Sequence, residues 1–202
     1  MAQLRQDNLR SVGSGAEVLP FTMPVRDESL PYQDRVARWH DEIVTRWAAT
    51  ANNAHVSGPI ALLVWGDPGL YDSTLRIAER LQPPPKLRVI PGITALQALT
   101  AAHAIPFNTI DGTVAVTTGR RLRKFGLPEG SETTVVMLDG ACSFQDLTHL
   151  DLTIWWGAYL GMPNQILASG PLADTAPKIV KLREEARAQH GWIMDTYLLR
   201  QV

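Results

Sequence analysis

Residues 59–74 read PIALLVWGDPGLYDST, and this stretch restricts the fold more than any other. Ile60 to Trp65 is an unbroken apolar run of the length expected for a buried parallel strand. Gly66-Asp67-Pro68-Gly69 ends the run with turn-forming residues. Asp72-Ser73-Thr74 can cap a helix from Leu75 to Leu81. Strand, turn and capped helix make half of a βαβ unit, and open α/β sheets bind ligands beyond the carboxyl ends of their strands. At that position Asp67 offers an acceptor for a ligand hydroxyl or ammonium. An ordinary βα loop with a helix-capping aspartate would carry the same residues.

The rest of the chain agrees with an α/β class. Tyr32 to Ala49 predicts an amphipathic helix, with Val36, Trp39, Ile43 and Trp47 on one stripe. Lys86 to Ile90 predicts a second strand, closed by Pro91-Gly92-Ile93-Thr94-Ala95, where Thr94 can cap a helix over Ala95 to His103. Three further strands are predicted at Thr113–Thr118, Thr133–Leu138 and Leu152–Trp156. All five strands meet a glycine near their carboxyl end, which suggests a cleft lined by backbone; glycines also punctuate α/β loops generally. Asp174 to Gln189 reads as a helix with a solvated charged face, and Trp192 to Leu199 as a final strand at a sheet edge. Near the start, Gln3–Arg10 reads as a short helix and Glu17–Met23 as an edge strand. A boundary near 108–112 divides the chain into an N-terminal α/β lobe, 1–110, and a C-terminal one, 111–202, with a ligand cleft expected between them.

Composition narrows the chemistry. The chain has 202 residues, 45% of them apolar and 19% charged, so it can bury a core. A net charge of −1 supplies no basic excess for nucleic acid. The single Cys142 excludes an internal disulfide and a cysteine metal cage, and fits a cytoplasmic location. The five histidines lack metal-ligand spacing, so no metal site is expected, and His40 reads as solvated or capping. No apolar run approaches the ~20 residues of a membrane span.

Familiar catalytic signatures (GxGxxG, Walker A, GxSxG, HExxH) do not occur. Glycine, threonine and aspartate turns suit a small polar ligand held through backbone groups, and such a site can promote group transfer by alignment alone. Thr117 to Lys124, TTGRRLRK, sets Arg120, Arg121, Arg123 and Lys124 just past a strand end. Arginine forks favour carboxylates, so a polycarboxylate substrate is expected there. A phosphate ligand or a solvated loop would use the same residues.

The ordered turns LVWGDPGLYDST, VIPGITALQAL, VTTGRR, VVMLDG and ILASGPLADTAPKI together resemble the tetrapyrrole (corrin and sirohaem) methyltransferases. The likeness runs from about Tyr32 to the end. It implies two α/β lobes and S-adenosylmethionine as methyl donor in the cleft between them. YDSTLRI, TTGRRL, WWGAYLG and GWIMDTYLLR resemble the branch that methylates C1 of a precorrin and releases acetate. By motif match, Trp65, Gly66, Asp67 and Tyr71 would contact the donor's methionine part. Thr94 and Ala95 would lie against the donor from the second turn. Asp139, Ala158 and Leu172 would flank its adenosine. Arg120, Arg121 and Arg123 would meet the acid groups of an anionic tetrapyrrole. For acetate release Asp67, Tyr71 and Asp139 remain open as bases. The resemblance also implies a homodimer.

The family opens with a strand and a GxGPG turn, for which Val12-Gly13-Ser14-Gly15 does not substitute. The expectation is an incomplete first lobe with an unpaired sheet edge, arising from an upstream start or a shortened form. The rival function is therefore a non-catalytic remnant that binds tetrapyrrole or donor, or pairs with a full-length paralogue. A nucleotide-binding α/β protein is a further alternative, against which the absent Walker lysine argues.

Overall fold

A computed structural model describes residues 2–201. They form two compact units divided between Gly92 and Ile93. The expected lobe boundary at 108–112 falls inside the second unit.

The first unit holds α1 (Ala2–Ser11), α2 (Tyr32–Asn53) and α3 (Thr74–Ala78). α2 follows the predicted stripe: Ile43 is buried, while Trp39 and Trp47 are half-buried. His40 is buried as well, not solvated, because it sits one position along the same stripe. α3 packs on α2 through Ile77 and Ala78, and Arg80 ties the pair by donating to Asp41 at 2.5 Å and to the Ala37 carbonyl at 3.2 Å. The cap predicted for α3 is present, with Asp72 accepting from the Thr74 N–H at 2.6 Å.

No strand forms among the described residues of this unit, which corrects three expectations. Ile60–Trp65 and Lys86–Ile90 take part in no backbone ladder, and Ile60, Leu62, Leu63, Leu87, Val89 and Ile90 are exposed. An apolar run becomes a strand only when a neighbour takes its N–H and C=O groups. Glu17–Met23 is not an edge strand either. Side chains of α2 occupy this region's carbonyls, Arg46 reaching Thr22 at 2.6 Å and Trp39 reaching Pro24 at 2.8 Å.

The second unit is a three-layer α/β structure. Its elements are α4 (Ala95–His103), β1 (Val114–Thr118), α5 (Gly119–Phe125), β2 (Thr133–Met137), a 3-10 helix (Ser143–Leu147), β3 (Leu152–Ala158), β4 (Ile166–Pro171), α6 (Leu172–His190) and β5 (Asp195–Gln201). α4 begins where predicted: Thr94 accepts from the Gln97 N–H while the Gln97 side chain accepts from the Thr94 N–H, a reciprocal cap. The sheet order is β1-β2-β5-β3-β4. β1 and β2 pair in parallel, crossing over through α5; β5 runs antiparallel to both β2 and β3, and β4 antiparallel to β3. The final strand is thus central, not an edge. Its Tyr197 and Leu199 supply the core together with Val136, Ile154 and Trp156, under α5, the 3-10 helix and α6. α4 covers the opposite face, where Leu99 approaches Gly157. β4, which the sequence reading did not assign, closes one edge.

Candidate functional site

In the first unit the two glycine turns meet. Gly66 adopts φ +77°, a conformation glycine reaches without strain. The Asp67 carboxylate then accepts the Gly69 N–H at 2.7 Å and the Gly92 N–H at 2.9 Å. A side chain at Gly92 would strike the Gly66 carbonyl oxygen, so the second turn can approach the first only as glycine. The Gly92 and Gly69 donors hold the Asp67 carboxyl below the usual carboxylate range. Asp67 is therefore a half-buried, firmly ionised carboxylate among main-chain groups, suited to an ammonium. Trp65 and Tyr71 lie on either side in the chain, both partly exposed, and Tyr71 is left-handed at φ +49°.

The second unit gathers a different set at the carboxyl rim of its parallel strands. β1, β2 and β3 run the same way, so Thr118, Met137 and Ala158 end together. Asp139, 5% exposed, accepts from the Ala141 N–H at 3.2 Å, the Ser143 N–H at 2.6 Å and the Tyr197 hydroxyl at 2.7 Å. The Ser143 hydroxyl proton is shared between Asp139 at 2.8 Å and the Gly119 carbonyl at 3.0 Å. A side chain on Gly119 would occupy the space of that carboxylate. Burial, then the neighbouring Asp139 charge, pushes the Tyr197 hydroxyl far up, so it remains a donor. Beneath the same turn Arg183 donates to Asp195 at 3.0 Å, and to the carbonyls of Gly140 and Asp139, each at 3.3 Å. Asp195 also accepts the Trp156 indole N–H at 2.9 Å. Burial opposes the Arg183 charge, but Asp195 outweighs it and the guanidinium is held charged.

The predicted residues divide accordingly. Trp65, Gly66, Asp67 and Tyr71 share one turn region of the first unit, and Gly92 joins them through Asp67. Thr94 and Ala95 begin α4. Asp139 and Ala158 stand at one rim of the sheet, both buried. Leu172 follows Pro171, which pairs with Thr153, so it lies at the opposite rim, fully buried. Arg120, Arg121 and Arg123 are exposed on the helix α5, where Leu122 alone of the run turns inward. The sequence places Arg183 with Lys181, Glu184, Glu185 and Arg187 on the solvated face of the last helix, but its side chain is only 11% exposed, because it turns in to pair with Asp195; nothing in the sequence marks Ser143, Asp195 and Tyr197. The last two lay in the quoted motif GWIMDTYLLR, but nothing local marks a residue whose partner is 58 positions away.

The tetrapyrrole (corrin/porphyrin) methylase family matches residues 5–176. A precorrin-6A synthase [deacetylating] from Sinorhizobium sp is 45% identical over 192 residues, spanning 92% of this chain and 73% of the relative. The structure of a cobalamin synthesis related protein (CobF) from Corynebacterium diphtheriae superposes with a TM-score of 0.82 at 39% identity, covering 99% of this chain and 82% of that one. The uroporphyrin-III C-methyltransferase of Thermus thermophilus, solved with S-adenosyl homocysteine, shares the fold: TM-score 0.52, 16% identity, 81% of this chain and 72% of that one. By the extent of the family match and of the identity, this chain belongs to the tetrapyrrole methylase family.

Proposed function

We propose that this chain is a cytoplasmic, S-adenosylmethionine-dependent methyltransferase acting in cobalamin biosynthesis. In this reading it methylates C1 of precorrin-5 and releases acetate, giving precorrin-6A. The observation that carries the proposal is the 45% identity to a precorrin-6A synthase over almost the whole chain. The Asp67 turn supports it, since an ionised carboxylate amid glycine backbone fits the ammonium of an amino acid. S-adenosylmethionine supplies an electrophilic methyl on a sulfonium. Trp65, Gly66, Asp67, Tyr71, Thr94 and Ala95 are proposed for its methionine part, and Asp139 and Ala158 for its adenosine; Leu172, fully buried at the opposite rim of the sheet, leaves this set. Arg120, Arg121 and Arg123 are proposed to bind the substrate's carboxylates. No protein nucleophile is required, because alignment of donor and ring carbon lowers the barrier. The family likeness adds a homodimer to this reading.

The test is calorimetry with S-adenosylhomocysteine followed by product analysis with precorrin-5 and labelled donor. Binding together with a methylated, deacetylated product is expected; neither heat nor product overturns the reading. A second reading, donor or tetrapyrrole binding without turnover, is favoured by the ladderless stretches Ile60–Trp65 and Lys86–Ile90. Binding with no methylated product would select it.

A further inference from the structure

The strand expected over Trp192 to Leu199 starts later than its residues suggest. The ladder of β5 begins at Asp195, which leaves Trp192-Ile193-Met194 ahead of it. These three residues run past the sheet at the carboxyl rim, because β5 is antiparallel to β2 and β3 and Asp195 pairs with Ala158, the last residue of β3. Tyr159, next along, clasps the segment at two points. Its N–H donates to the Met194 carbonyl at 3.0 Å and its hydroxyl to the Trp192 carbonyl at 2.6 Å. Tyr159 is buried, and its ring meets the Trp192 ring edge-on with centroids 6.3 Å apart. Between the two clasped carbonyls Ile193 packs against the core, whereas Trp192 and Met194 stay 39% and 36% exposed. Backbone bonds and Ile193 therefore hold the segment, and the outer faces of an indole and a thioether are left over from the packing.

Such side chains bind flat conjugated rings through contact area and polarisability. Held in place beforehand, they lose little freedom on binding. Charge on the same rim selects the ring. β1 also ends here and passes into α5, where Arg120 and Arg121 are exposed. β1 stands two strands from β5, about 10 Å at the spacing of a sheet. An apolar platform with guanidiniums at that separation suits a flat ring that carries acid arms.

We propose that Trp192 and Met194 are the platform on which the macrocycle of the anionic tetrapyrrole lies, with Tyr159 as the positioning residue that holds both. This rests on the substrate reading above and adds a contact with the ring itself, where Arg120 and Arg121 meet only its carboxylates.

The test titrates full-length wild type, Trp192→Ala, Trp192→Phe, Met194→Ser, Tyr159→Phe and the double variant Tyr159→Phe with Trp192→Ala. The probe is uroporphyrin III, a stable acidic macrocycle, followed by its Soret band; calorimetry with S-adenosylhomocysteine runs beside it. Trp192→Ala should weaken macrocycle binding roughly tenfold, the scale of one lost aromatic contact. Trp192→Phe should keep most of the affinity, and Met194→Ser should lose about threefold. Tyr159→Phe should weaken macrocycle binding in the wild-type background but not further in Trp192→Ala, because its hydroxyl acts through Trp192. Donor affinity should stay within about twofold throughout. Macrocycle binding by Trp192→Ala within about twofold of wild type overturns the assignment alone, as does an equal loss of donor and macrocycle binding in that variant. Equal losses from Tyr159→Phe in both backgrounds overturn the positioning role. Wild type that binds S-adenosylhomocysteine but shifts no Soret band overturns the platform and leaves the donor reading standing. Wild type that binds neither overturns the functional reading and this assignment with it.

Discussion

The Asp67 carboxylate accepts the Gly92 N–H at 2.9 Å, joining two turns 25 residues apart. Each turn closes one of the two exposed apolar stretches of the first unit. The bond therefore fixes the two turns relative to each other where no sheet does so. A side chain that reads as a ligand group is also the clasp of its own loop.

Asp67→Ala should leave the Gly69 and Gly92 N–H groups without their acceptor and weaken S-adenosylhomocysteine binding about tenfold or more, with Asp67→Asn intermediate. The carboxyl is held below its ordinary 3.8, so its contribution is complete above that value and is lost as pH falls through the folded pKa. Calorimetry from about pH 5 to 8 should show no step from this group. A tenfold pH dependence there that Asp67→Asn removes would contradict the assignment.

Gly92→Ala should destabilise the first unit by about 1–3 kcal/mol, because the new Cβ meets the Gly66 carbonyl, which is backbone and cannot swing aside. Gly140→Ala provides the contrast: a Cβ there meets nothing within 4 Å, and its cost should stay within about 0.5 kcal/mol. Denaturant midpoints of the two variants would separate them, and equal losses would refute the crowding argument.

Asp195→Ala should cost about 3–5 kcal/mol, because it strands the Arg183 charge, whose side chain is only 11% exposed, and the Trp156 indole N–H. The double replacement Arg183→Met with Asp195→Leu should cost less than Asp195→Ala alone, since no buried charge is left behind. Urea unfolding followed by near-ultraviolet dichroism measures both; a double variant worse than the single would show that the pair adds net stability.

Protonating His40 should loosen the first unit. The imidazole is 4% exposed with no partner for Nε2, and burial lowers its pKa, aided by Arg80, Arg26 and Arg76 and opposed by Asp41. A folded value below the ordinary 6.5 means that the unfolded chain binds the proton more readily. Stability is therefore full above 6.5 and falls as pH drops below it. His40→Phe should remove this step, with the packing against Trp39 retained. Unfolding at about pH 7.5 and 5.5 checks it, and an unchanged pH dependence in the variant would exclude His40 as its source.

Local signals in the sequence were faithful where local physics decides. Thr94 with Gln97, Asp72 with Thr74 and the stripe of α2 each satisfy backbone or bury apolar area within a few residues, so pattern suffices. The sequence marks the charged run after Thr118 only as a strand-end cluster. It is a helix, with Thr118 capping it at the Arg121 N–H, a weak start signal amid so many cations. β4 was passed over because ILASGP is short and ends in glycine and proline, which local rules assign to turns.

The sequence by itself determined the α/β class, the glycine turns and the family to which they belong. Tertiary structure decided what no window of residues contains: that β5 is central, that Ile60–Trp65 lies outside any ladder, and that Asp139 is sealed by Tyr197. The reason is that helix caps close over a few residues, whereas ladders and buried carboxylates are satisfied only by groups distant in the chain.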